Sequence, residues 1–164
     1  LNMRSYTLSK KETHRALESM RRWLPPEITS KTKSIRIIEI DEERSILIGE
    51  DFTAAKLGED VIIPFLKMDM FLETLGKIFV DKGAVKYVCN GANVMRPGVV
   101  RCEGSFKLGD MVAVKEAAHG KTLAVGTALI NSTEVQGMSK GLVVKNLHYV
   151  GDIFWETYKK TESP

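Results

Sequence analysis

The chain has 164 residues, 43% of them hydrophobic, enough for a buried core in one large domain or in two small ones packed together. A formal net charge of +3 is a mild excess, so contact with nucleic acid would have to come from clustered bases rather than from overall charge. Two cysteines with 12 residues between them, Cys89 and Cys102, fit neither a paired metal-ligand spacing nor the disulfide framework of a secreted protein, and no apolar run approaches the roughly 20 residues of a membrane span. The expectation is a soluble cytoplasmic protein with no membrane partner.

Residues 2–8 form a polar, extended lead with the look of an edge strand. Ser9 to Glu12 fits a capping box, in which a serine hydroxyl and a glutamate side chain each serve the other's main-chain amide, and a helix starts there. Ala16, Leu17, Met20, Trp23 and Leu24 share one face at helical period, and Pro25 and Pro26 are expected to end it. Lys11, Arg15 and Arg22 line the opposite face with Glu18 among them. That stripe could touch RNA, but a solvated face is the simpler reading.

The β-branched residues of 34–40 and 45–48 flank a charged turn and read as a hairpin. Ile35, Ile37, Ile38 and Ile40 do not alternate cleanly, so either both faces are covered or a bulge shifts the register. Residues 51–60 look like a loop and 61–63 like a short strand. Pro64 then suits the first turn of a helix that carries Phe65, Met68, Phe71, Leu72 and Leu75 on one face and stops at Gly76. Such a face is better explained by core packing than by a partner groove.

Composition shifts near the middle. Residues 1–80 hold 3 of the 13 glycines with 13 Lys+Arg against 13 Asp+Glu, whereas 81–164 hold 10 glycines with 11 Lys+Arg against 8 Asp+Glu. The division expected is residues 1–76 and 77–160. In the second half Asp81 caps a short helix through Lys82, Val85, Lys86 and Val88, and Gly91 stops it in a left-handed conformation. Residues 93–100 are extended but interrupted by Arg96, Pro97 and Gly98, where proline pre-sets φ and glycine permits positive φ. A ligand could approach such a backbone closely, and Lys82, Lys86 and Arg96 would offer it positive charge, a combination suited to phosphate. An ordinary glycine-rich turn with solvated bases remains the alternative on these residues alone.

Beyond it, 110–117, 122–130 and 142–149 have the spacing of strands in a small closed or nearly closed sheet, with a helical turn in 132–138. Val112 and Val114 alternate with Ala113 and Lys115, giving one buried and one open face. Phe154 and Trp155 are placed at the end of the barrel, and residues 159–164 as a frayed tail.

The string VDKGAVKYV followed by GANVMRPGV resembles the opening of a PUA domain, the RNA-binding module named after pseudouridine synthases and archaeosine transglycosylases. The likeness continues through GDMVAVKE, TLAVGTALI and KGLVVKNLHYVGDIFWE. The VDKGA opening, the NLHYVGD ending and a preceding domain of this size are most similar to the malignant-T-cell-amplified-sequence family and its archaeal relatives. The resemblance implies an α+β fold, a small N-terminal α+β domain followed by a PUA β-pseudobarrel. It also implies work on tRNA or small-subunit ribosomal RNA in translation initiation or ribosome recycling, with the small ribosomal subunit and a protein like density-regulated protein as partners.

Following the motif, the residues expected at RNA are Lys82 and Lys86 on the helix, Gly91, Ala92 and Asn93 at its end, Met95, Arg96, Pro97 and Gly98 in the loop, and His148 on the last long strand. For His148 an internal role, satisfying buried backbone, is the competing reading.

No chemistry is expected. His14, His119 and His148 lie on separate elements, so no metal site is read, and no cofactor. Cys89 has no local base and suits a packed thiol. The carboxylates form no acid-base pair, and the phosphate-loop patterns GxGxxG and GxxxxGKS are absent. The chain therefore reads as non-catalytic, with two alternatives: an accessory subunit of an RNA-modifying enzyme, or a protein-binding adaptor acting through the N-terminal half.

Overall fold

The computed structural model describes residues 3–162. The first half is a meander of five antiparallel strands in sequence order, β1 (Ser5–Thr7), β2 (Arg36–Glu39), β3 (Arg44–Ile48), β4 (Thr53–Leu57) and β5 (Val61–Pro64), with helices α1 (Lys10–Ser19) and α2 (Pro26–Lys31) between β1 and β2. The expected lead is the edge strand β1, paired only with β2; Asn2 lies outside the described residues.

The capping box of α1 is formed on both sides: Glu12 N–H donates to Ser9 Oγ at 3.1 Å and Ser9 N–H donates to Glu12 Oε1 at 3.0 Å. Those bonds hold the Glu12 carboxyl below its ordinary pKa. The helix is shorter than its periodicity suggests. Met20, Trp23 and Leu24 continue the buried stripe in the turn that follows α1, and Trp23 Nε1–H is pinned to the Ile62 carbonyl at 2.9 Å. The proline pair does not merely end a helix, because Pro26 also opens α2, where its missing N–H is no loss.

The β2–β3 register runs without a shift, so the unbroken apolar pattern means that both faces are covered. Ile37 packs under α1 and Ile38 on the opposite side. Residues expected to be a loop form β4. Thr53, Ala54 and Ala55 are buried between β3 and β5, and this central position overrides alanine's weak strand preference. Pro64 closes β5 rather than opening a helix, as it can on the last strand of a sheet. The expected helix shrinks to α3 (Asp69–Leu72), and Gly76, instead of stopping it, starts the next strand.

The second sheet contains β6 (Gly76–Val80), β7 (Val94–Met95), β8 (Val99–Glu103), β9 (Met111–Glu116), β10 (Thr122–Ala128) and β11 (Leu142–Tyr149), with α4 (Lys82–Val88) between β6 and β7. Strand order is β7-β11-β10-β9-β6-β8, and β6–β9 is the parallel pair. The two end strands, β7 and β8, are joined by only the single 3₁₀ turn Arg96–Gly98, so the sheet must curl almost closed. A β-bulge separates the pairs Val125↔His148 and Gly126↔Asn146. A Cβ at Gly126 would lie 2.2 Å from the Lys145 carbonyl oxygen, an approach that only glycine allows.

Three cores result. One fills the barrel around Ile78, Val114 and Val144; one lies between α1, α2 and the first sheet. The third joins the halves: Ile38, Ile46, Ala55, Ile63, Phe65 and Leu72 pack with Val125 of β10 and Phe154 of α5 (Ile153–Glu162). This changes three expectations. The face carrying Ala113 and Lys115 is not open, since Ala113 is buried and Lys115 Nζ reaches Glu73 Oε1 at 3.0 Å. Phe154 and Trp155 do not cap the barrel's end but lie against the first sheet's side, with Phe65 stacked on Trp155. Residues 159–162 continue α5, whose Glu162 pairs with Arg36 of β2; residues 163–164 lie outside the described residues.

Candidate nucleic-acid interface

α4 stands where β6 ends. Asp81 Oδ1 accepts from Ala84 N–H at 2.9 Å, completing the expected N-cap. At the other end Gly91 takes φ +93°, and Gly91 N–H and Ala92 N–H return to the carbonyls of Val88 and Tyr87 at 3.0 and 2.9 Å. A Cβ on Gly91 would meet the Tyr149 ring at 3.2 Å, so conformation and space both favour glycine.

The following loop is held from beneath by Asn146 of β11. Its side-chain Nδ2 donates to the Val88 and Ala92 carbonyls, each at 3.0 Å, and its main-chain N–H donates to Asn93 Oδ1 at 2.9 Å. One residue thus ties the end of α4, the turn and Asn93 to the barrel. Nothing in its sequence neighbourhood shows this; only the bulge beside Gly126 places it there.

Lys82 and Lys86 are exposed on α4 and form no ion pair among the described residues. Lys86 Nζ lies 5.1 Å from the Tyr87 ring centre. Ala92, Asn93, Met95 and Pro97 are exposed as well, Gly91 and Gly98 partly so. Tyr87, Asn93, Met95, Pro97 and Gly98 line a shallow, largely apolar groove of about 440 Å³ between α4 and the loop. Tyr87 (59% exposed) and Met95 (49%) flank it, and Leu142, paired across from Met95, extends the apolar surface. Tyr87 is not singled out by the sequence, because within VDKGAVKYV nothing local shows that its ring faces the groove.

Three expected features differ. The Arg96 guanidinium is not held out near the lysines: Nε–H donates to the Val135 carbonyl at 2.7 Å and Nη1–H to the Val99 carbonyl at 3.1 Å, so it braces the turn from inside. Gly98 does not use positive φ; its hydrogen side chain instead makes room for Ala84, whose Cβ would be 3.2 Å from an added Cβ. His148 is fully buried and off the exposed surface. Its Nε2 accepts from Leu66 N–H at 3.2 Å, Nδ1 lies 2.7 Å from Asp152 Oδ2, and the ring packs between Phe65 and Phe154.

Burial pushes the Cys89 and Cys102 thiols up, partly offset by the charges of Lys121 and Arg96 respectively, which disfavours the thiolate a nucleophile needs. No group of three or more metal-ligating side chains is found among the described residues. On α1, Arg15 faces Glu59 and Asp60 at 3.8 and 3.9 Å, so the basic stripe there is partly neutralised.

Residues 76–150 match the PUA domain family. A protein of Methanocaldococcus jannaschii is 37% identical over 153 residues, spanning 92% of this chain and 94% of its own. Human malignant T-cell-amplified sequence 2 is 34% identical over 84% of this chain and 79% of its own. Translation machinery-associated protein 20 of Saccharomyces cerevisiae is 28% identical over 79% and 75%. Among solved structures, a hypothetical protein of Pyrococcus horikoshii OT3 superposes with a TM-score of 0.75 at 28% identity, covering 94% of this chain and 99% of that one. With the likeness running through both sheets and not through the barrel alone, the chain belongs to the PUA-domain proteins of the malignant-T-cell-amplified-sequence family and their archaeal relatives.

Proposed function

We propose that this chain is a non-catalytic RNA-binding protein of translation, acting in the cytoplasm, which holds tRNA or small-subunit ribosomal RNA against the face built by α4 and the 91–98 loop. One observation carries the reading: a braced loop and an exposed apolar groove lie beside two lysines that form no ion pair among the described residues, while the carboxylate at the groove's edge, Asp81, is engaged in capping α4. Tyr87 and Met95 supply surface for a base or ribose, and Lys82 and Lys86 supply charge for phosphate. The PUA match and a relative named for the translation machinery support the same direction.

The test is the double variant Lys82→Glu, Lys86→Glu, both at exposed helix positions where the fold tolerates them. Each phosphate contact removed shallows the log-log salt dependence of binding by about 0.7 to 0.9, so the pair should lower the slope by about 1.5 and weaken binding to tRNA or small-subunit rRNA. Circular dichroism checks folding. A folded double variant with unchanged affinity and slope places the RNA elsewhere.

An adaptor role for the first sheet is favoured by a different observation. A cavity of about 240 Å³ between α1 and β2–β4 is rimmed by Glu12, Glu39, Asp41, Glu42, Glu43 and Glu59, with Arg15 and Lys56 as its bases. Such a rim repels RNA and suits a protein partner, as on the small ribosomal subunit or a protein like density-regulated protein. Capture of a partner that survives nuclease treatment would support it; loss with nuclease would remove it.

A further inference from the structure

The Asn93 side chain has two ends of opposite hydrogen-bonding character, and the fold decides which one faces outward. Its contact with the barrel is the main-chain N–H of Asn146, at 2.9 Å. A main-chain N–H can only donate, so the Asn93 atom bonded to it must be the carbonyl oxygen, whatever rotation of the amide is drawn. The other end, Nδ2, with its two hydrogens, has no acceptor among the described residues, and the residue is exposed and lines the groove. Asn146 cannot turn away to release it, because its own side chain is fastened to the Val88 and Ala92 carbonyls at 3.0 Å.

We propose that Asn93 is a positioning residue for the RNA, presenting its amide hydrogens as fixed donors to a phosphate oxygen and so fixing how the strand lies on the groove. The inference rests on the RNA-binding reading above. Phosphate is the acceptor that fits, since Lys82 and Lys86 stand exposed on α4 beside the groove, whose own lining carries Asp81 at the start of that helix, and half or more of protein hydrogen bonds to a nucleic acid go to phosphate and sugar, asparagine amides being among the donors. The donor is oriented before the RNA arrives, so little side-chain freedom is lost on binding.

Asn93→Asp isolates the donor. The aspartate oxygen that replaces Oδ1 still accepts from Asn146 N–H, so the loop stays fastened, while the outward donor becomes an anion facing a phosphate. Asn90→Asp makes the same charge change at an exposed residue three positions away that does not line the groove. Each is titrated with unfractionated tRNA beside the wild type, with amide hydrogen exchange read at Asn146 and across 89–98. The expected result is a loss of about tenfold or more in affinity for Asn93→Asp and under about threefold for Asn90→Asp, with exchange unchanged in both. Equal losses in the two variants, or a loss accompanied by faster exchange at Asn146, would overturn the inference, the second by making Asn93 only a structural tie. A wild type that fails to bind tRNA and small-subunit rRNA alike removes the RNA reading itself, an outcome distinct from either.

Discussion

Arg96 commits its guanidinium to two main-chain carbonyls, so its removal should be felt in folding more than in binding. Arg96→Ala leaves Val135 and Val99 without that donor and should cost about 1 to 3 kcal/mol in urea unfolding. Arg96→Lys should recover little, because an ammonium cannot reproduce a planar fork reaching two carbonyls. The salt slope for RNA should stay unchanged in both folded variants; a slope shallower by about one unit would show that Arg96 contacts phosphate. Charge and neighbourhood marked this residue in the sequence, but the direction of a long side chain depends on where a turn 39 residues later comes to rest. His148 was ambiguous for the same reason. Its acceptor role toward Leu66 N–H spans 82 residues, a distance no local pattern reports.

Elements whose cause is local were legible, and those whose cause is tertiary were not. The Ser9 box, the Asp81 cap and the Gly91 stop each need only three or four neighbouring residues, and all three form as expected. β4 carries two alanines and looks like a loop until β3 and β5 enclose it. α3 failed in the opposite sense: a helical apolar period was present, but Phe65 and Leu66 are drawn into the core shared with α5 before the helix begins. β11 depends on its neighbour at the bulge. Gly126→Ala would drive a methyl group into the Lys145 carbonyl and the Val144 side chain, at 2.2 and 2.6 Å before relaxation. It should destabilise by about 3 kcal/mol or more in chemical denaturation, and faster amide exchange should centre on β10–β11. A variant as stable as the wild type would mean that the bulge shifts freely.

At the level of the whole molecule, the fold class and the barrel were readable while the seam between the sheets was not. Composition divides the chain near residue 80, but a seam is a property of two surfaces, and Val125, Phe154 and Phe65 carry no mark that assigns them to one. We propose residues 1–76 and 77–160 as units of sequence that share a core. A fragment of residues 77–160 keeps the α4 face but uncovers Val125, Phe154, Trp155 and Tyr158. It should therefore be prone to self-association in size-exclusion chromatography and bind a hydrophobic dye, while the longer chain unfolds in one transition. A monodisperse fragment as stable as the whole would show that the seam contributes nothing.

α5 gives that shared core a direction in time. The first sheet is a meander whose strands pair with their immediate successors, so it can assemble as it leaves the ribosome. The side with Ile38, Ile46 and Ala55 nevertheless waits for Phe154, about a hundred residues later, and Arg36 waits for Glu162. During synthesis that side has only Phe65, Leu66 and Leu72 over it and lacks its α5 cover for several seconds at ordinary elongation rates of about 5 to 20 residues per second. A nascent chain stalled before residue 153 should thus be a better chaperone substrate and an easier target for protease than one stalled after α5 has emerged.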